Sequence, residues 1–117
     1  MIGLFLVEGL FAVFGAGAMV NPQLVADQFK IPTLSADGRN EFRAIYGGLS
    51  LGVAGALAHA YYTPALRQGA CFTIATVLCG MATSRVLSTL LEGKIGRWPL
   101  FYFGFEVVGA FLLFRVA

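Results

Sequence analysis

The chain has 117 residues, of which 58% are hydrophobic and 12% charged, and its formal net charge is +2. A soluble domain carries about 25% charged residues, and a chain this short has too little interior to hide so much apolar surface, so lipid must do the covering. The near-balanced charge, with no basic run, excludes nucleic acid as a partner, because that requires a basic face.

The first apolar segment, residues 2–20, contains a single charge, Glu8. No Lys or Arg precedes it and an acid sits inside it, so it reads as an uncleaved membrane span rather than a signal peptide. Asn21-Pro22 ends it, because proline cannot continue the hydrogen-bond ladder. Residues 21–38 form the longest connection. Within it, residues 23–30 set Leu24, Val25 and Phe29 against Asp27, Gln28 and Lys30, which reads either as a short helix on the membrane surface or as an irregular loop. Ser35-Ala36-Asp37-Gly38 then supplies helix-start chemistry, with Asp37 the expected N-cap.

The second span covers about 39–62 and ends on Tyr61 and Tyr62, residues that suit the interfacial belt. Thr63-Pro64 turns the chain into the third span, about 66–92. The polar connection Gly93-Lys94-Ile95-Gly96-Arg97 leads to the fourth, about 98–116, with Trp98 at the interface and Pro99 in the first helical turn. Each span has the 17–25 residues or so that crossing the hydrocarbon core requires. No sustained alternation favours strands, and an open sheet cannot stand in lipid. The expected fold is an all-α, integral membrane four-helix bundle in one domain.

Four spans put both termini on one side, side A, which carries Arg67 and Arg115. Side B carries Lys30, Arg39, Lys94 and Arg97. The positive-inside rule assigns side B to the cytoplasm and the termini to the outside.

The charges inside the spans fall at related depths. At 1.5 Å per residue from side B, Arg43 lies about 6 Å deep, Arg85 about 10 Å, Glu106 about 10–12 Å and Glu8 about 18 Å, with Glu41 near the surface. An intramembrane charge costs roughly 2.5–3.5 kcal/mol on insertion scales and needs a partner. Arg85 and Glu106 are matched in depth and opposite in sign, with Glu41 and Arg43 one to two turns above them. Together with Glu8 they make a candidate polar cluster, read first as a structural clasp and second as a binding or transport site. Glu41 is also placed to complement a helix dipole, and Arg43 to snorkel to headgroups. Glu8, without a partner at its own depth, reads as a protonated structural acid or as a proton-coupling group. On the second span, Glu41, Gly48, Gly52, Gly55 and His59 fall on one stripe. Gly48 and Gly52 make a GxxxG step, so Gly48, Gly52 and Gly55 are the expected helix-packing positions. The phenylalanines are expected largely on the outside.

No nucleophile elbow, phosphate-binding glycine loop or metal-ligand spacing is present. The sequence therefore points to no catalytic residue, no metal and no cofactor. Cys71 and Cys79, about 12 Å apart along a helix axis, are too far apart to bridge and read as small buried hydrophobes.

The run from Asn40 through Glu41, Arg43, Tyr46 and Gly48 to Gly52 resembles a signature of small bacterial membrane proteins, those of domain-of-unknown-function family 4345. Ser84-Arg85-Val86-Leu87-Ser88 through Gly93 resembles that family's third-span signature, and Glu106 its fourth-span glutamate. One departure is Ala82-Thr83-Ser84 before Arg85, where a glycine is expected nearby. The resemblance covers nearly the whole chain and implies a four-helix protein of the bacterial inner membrane, with no activity attached. Three functions remain. The first is a non-enzymatic accessory or assembly subunit, held together by the charge cluster and acting with a membrane protein partner or as a homo-oligomer. The second is a small proton-coupled transporter using Glu8. The third is a lipid or quinone binding protein whose pocket is lined by the glycine face.

Overall fold

A computed structural model describes residues 1–117, and every regular element in it is helical. Helix α1 spans Ile2–Val20 and stops at Asn21, whose N–H still reaches Gly17 O before Pro22 opens the short helix α2, Pro22–Gln28. Residues 23–30 are thus largely helical. α2 closes on a left-handed Lys30, φ 59°. Ile31 N–H reaches Ala26 O at 3.0 Å and Lys30 N–H reaches Asp27 O at 3.2 Å, the paired bonds of a Schellman cap.

The segment after α2 is tied down by side chains. Leu34, 8% exposed, donates its N–H to Gln23 Oε1 at 2.8 Å. Its carbonyl accepts from Arg39 Nη1 at 2.8 Å. Helix α3, Ala36–Phe42, begins on Ser35, whose Oγ accepts from Gly38 N–H at 3.1 Å. Ser35, and not Asp37, is therefore the N-cap. Asp37 sits inside the first turn, where its charge complements the helix dipole.

From α3 the rod continues without a break into a wider turn, Arg43–Gly48, and then helix α4, Leu49–Tyr62. The widening is of π type: Leu49 N–H bonds to Ala44 O, five residues back. Helix α5, Pro64–Glu92, ends on left-handed Gly93, and α6 spans Arg97–Val116. The long rods pack in closed order, α1 on α4, α4 on α5, α5 on α6 and α6 back on α1.

The face of the second rod that looks inward is not the glycine stripe. The buried positions are Gly47, Ser50, Ala54, Leu57 and Ala60. Gly48, Gly52 and Gly55 are exposed, and a Cβ on Gly52 or Gly55 would meet nothing within 4 Å. The close approach of backbones is made one position earlier, at Gly47, which lies against the Met19 backbone of α1.

The apolar core lies toward side A and joins Leu4 and Val7, Leu57, Cys71, Ala75 and Leu78, and Ala110 and Leu113. Only 21 of 117 residues are buried, while Leu, Val and Phe side chains cover the outward faces. α1, α5 and α6 are each long and apolar enough to cross a membrane. The longest dimension, 44 Å, exceeds the roughly 30 Å thickness of a bilayer's hydrocarbon core.

Candidate functional site

Toward side B the interior changes from aliphatic to polar and aromatic. Arg85 of α5 and Glu106 of α6 meet fork to fork, with Nε donating to Oε1 at 2.7 Å and Nη2 donating to Oε2 at 2.9 Å. Glu106 is 2% exposed and Arg85 24%. A bidentate guanidinium–carboxylate bond is among the strongest side-chain pairings, and it holds both groups in one plane. The third guanidinium nitrogen, Nη1, makes no hydrogen bond within the protein and is not sealed from its surroundings.

Tyr102 stands one turn before Glu106 on α6. The Arg85 cation lies over its ring, 5.7 Å from the centroid. Its hydroxyl donates to Gln28 Oε1 at the end of α2. A single chain of contacts therefore runs from Glu106 through Arg85 and Tyr102 to the short surface helix. Around Tyr102 the rings of Phe14, Phe29, Phe42 and Tyr46 form a continuous cluster. Phe29 is 5.8 Å from Tyr102, and Phe14 is 5.7 Å from Tyr102 and 6.3 Å from Tyr46. Phe11 packs edge-on to Phe105. These phenylalanines are half-buried, while Phe72, Phe101 and Phe111 coat the outside.

Beside Arg85 opens a cavity of about 460 Å³, bounded by Phe29, Ser84, Ser88, Thr89, Lys94 and Pro99 among others. Thr89 spends its hydroxyl on the Arg85 carbonyl at 2.8 Å. Ser84 and Ser88 are exposed, so the cavity combines free hydroxyls, the unspent Arg85 nitrogen and the Lys94 ammonium with an apolar rim. The buried carboxylate is committed to Arg85, so the charged side chains lining this space, Arg85 and Lys94, are both cationic donors, joined by serine hydroxyls that donate or accept. Such a surface receives oxygen-bearing or anionic head groups.

The remaining candidate residues stand apart. Arg43 donates through Nε to Met19 O at 2.9 Å. It thereby satisfies one of the last free carbonyls of α1 with a charge that suits the helix C-terminus. Glu41 is exposed and makes no hydrogen bond, so neither residue of the upper pair touches Arg85 or Glu106. Glu8 is half-buried, without a hydrogen-bond partner, and outside the cavity. His59 is exposed. No three of His, Cys, Asp and Glu converge as a metal ion would require.

Sequence reasoning passed over Tyr102, Gln28, Phe29 and Lys94. Tyr102 carried a usable signal, its spacing of one turn from Glu106 on the same helix face. Gln28 and Phe29 carried none, since their place depends on how α2 folds back over the bundle.

A family model, described as a domain of unknown function (DUF4345), matches residues 2–117. No curated protein and no solved structure matches the chain.

Proposed function

The chain belongs to the DUF4345 family, and on that premise we propose that it is an integral membrane protein that holds a lipid-like or quinone-like amphiphile against Arg85. In this reading α1, the continuous rod from α3 to α4, α5 and α6 are four spans, and the side-B end faces the cytoplasm of a bacterial inner membrane. The role is binding rather than catalysis.

The observation that carries the reading is the incomplete use of Arg85. An arginine kept only as a clasp between α5 and α6 would be expected to spend its donors inside the protein. Here two nitrogens bind Glu106, the third makes no hydrogen bond within the protein, and Arg85 lines a cavity whose other polar side chains are Ser84, Ser88, Thr89 and Lys94. The apolar rim of Phe29, Met81, Ile95 and Pro99 suits the body of an amphiphile. This pocket lies away from Gly52 and Gly55, so the lipid or quinone reading moves from the glycine face to the α5–α6 end. Glu8 lies outside it, which leaves the proton-coupled reading without support from this site. An assembly role differs in what it demands, a stoichiometric protein partner in place of a small molecule.

Native mass spectrometry of the protein released from mild detergent tests the proposal. The wild type is expected to retain one amphiphile. Ser88→Leu, a substitution at an exposed helical position that intrudes on the cavity, is expected to lose it without loss of fold. Retention by Ser88→Leu equal to wild type, or a bare wild-type chain, would count against the pocket. A retained protein partner in place of a small molecule would favour the assembly role.

A further inference from the structure

At the opposite end of the bundle lies a second cavity, of about 560 Å³, between the start of α1, the first turn of α5 and the last turn of α6. Its polar side chains are two arginines, Arg67 and Arg115, and its walls include Ile2, Leu112 and Val116. No carboxylate side chain lines it. The one side-chain ion pair of the protein, Arg85 with Glu106, lies at the other end, so neither guanidinium group is ion-paired.

Arg67 is held in place by one bond, from Nη2 to the Tyr61 carbonyl at 2.7 Å, which caps the end of α4. Its Nε is buried and has no acceptor. Its other terminal nitrogen, Nη1, makes no hydrogen bond within the protein and is not among the buried unpartnered atoms, so it is open to an acceptor. Arg115 lies with its cation 5.7 Å from the centre of the Phe111 ring, a contact that fixes the side chain and leaves its charge unneutralised. Both residues sit in terminal turns, at the depth of headgroups.

We propose that Arg67 and Arg115 form a site for the phosphate of an anionic phospholipid on the side of the membrane where the chain termini lie. The guanidinium fork matches phosphate oxygens geometrically. Two uncompensated cations favour a headgroup of net negative charge over a zwitterionic one, whose ammonium they repel. The Ile2, Leu112 and Val116 walls fit the upper part of an acyl chain, which free phosphate does not have. The site rests on the membrane reading of the chain but shares no residue with the Arg85 pocket.

The test is native mass spectrometry of delipidated protein titrated with phosphatidylglycerol, phosphatidylcholine or inorganic phosphate. Phosphatidylglycerol is expected to bind in preference to phosphatidylcholine, and Arg67→Gln to weaken it by about tenfold, the worth of one charge-assisted bond. Arg115→Gln is expected to act in the same direction. The comparison is repeated in Ser88→Leu protein, whose Arg85 pocket is blocked, so that lipid held there does not mask the loss and a failed Arg85 pocket leaves this readout intact. Equal affinity for the two lipids, undiminished binding by a folded Arg67→Gln, or saturation by inorganic phosphate with no preference for lipid would each overturn the proposal.

Discussion

Gly15 of α1 and Gly47 of the second rod meet backbone to backbone. A Cβ on Gly15 would stand 3.0 Å from Gly47 O and 2.9 Å from Leu51 Cγ, and one on Gly47 would stand 3.2 Å from Met19 N. Close backbone approach through small residues is a main source of helix association in lipid, where no hydrophobic force separates one apolar surface from another. The approach fixes the spacing of α1 and the rod just below the aromatic cluster, and so sets the frame in which Arg85 and Tyr102 stand.

Gly15→Ala is expected to destabilise by about 1–3 kcal/mol, as overpacking does. Thermal denaturation in detergent should show a lowered midpoint. Gly52→Ala, at an exposed position with room for a methyl group, should leave the midpoint unchanged or raise it slightly, because alanine loses less entropy than glycine in a helix. An equal drop in both would place the packing face elsewhere.

Removal of either partner of the Arg85–Glu106 pair should have unequal effects. Arg85→Leu strands a carboxylate that is 2% exposed, whereas Glu106→Leu leaves an arginine that is 24% exposed and can turn toward water. Loss of one partner of a buried pair costs about 3–5 kcal/mol. Arg85→Leu is expected to reach that range and Glu106→Leu to fall below it, with the double variant more stable than Arg85→Leu alone. Accumulation in membranes and denaturation midpoints report this order. A double variant as poor as Arg85→Leu would argue against simple charge stranding.

Tyr102→Phe deletes the hydroxyl that bonds Gln28 and keeps the ring under Arg85. Its cost is expected to be about 0.5–1.5 kcal/mol, felt mainly as loosening of α2. Amide hydrogen exchange should quicken in residues 22–31 and stay unchanged in α5. Unchanged exchange in α2 would mean that Phe29 and the Leu34 contacts suffice to hold it.

Lys30 adopts φ 59° at the end of α2. The left-handed conformation costs a residue with a side chain about 1–2 kcal/mol, and glycine far less. Lys30→Gly is therefore expected to stabilise the α2 cap by up to about 1 kcal/mol, seen as slower exchange of the Ile31 amide. Faster exchange there would show that the lysine side chain holds the turn by other contacts.

The sequence by itself determined the class and the punctuation of this protein. Composition pointed to helices apolar enough to cross a membrane, and Asn21-Pro22, Thr63-Pro64 and Gly93 ended helices where they stand, because hydropathy and backbone restriction act over neighbouring residues. Counting depth also put Arg85 and Glu106 at one level, since rise per residue is constant along a helix. The inward face of the second rod was decided only by tertiary structure. Gly48, Gly52 and Gly55 face outward together with Glu41 and His59, and Gly47 packs against α1. Arg43 goes to the Met19 carbonyl instead of the charge pair, because the end of α1 offers an unpaired acceptor beside it. Gln28 and Phe29 reach Tyr102 because α2 folds back over the bundle, a contact between residues 74 apart in sequence for Gln28. Face and long-range contact depend on how whole helices are rotated and docked, and a 3.6-residue period shows which residues share a face but not which face packs inward.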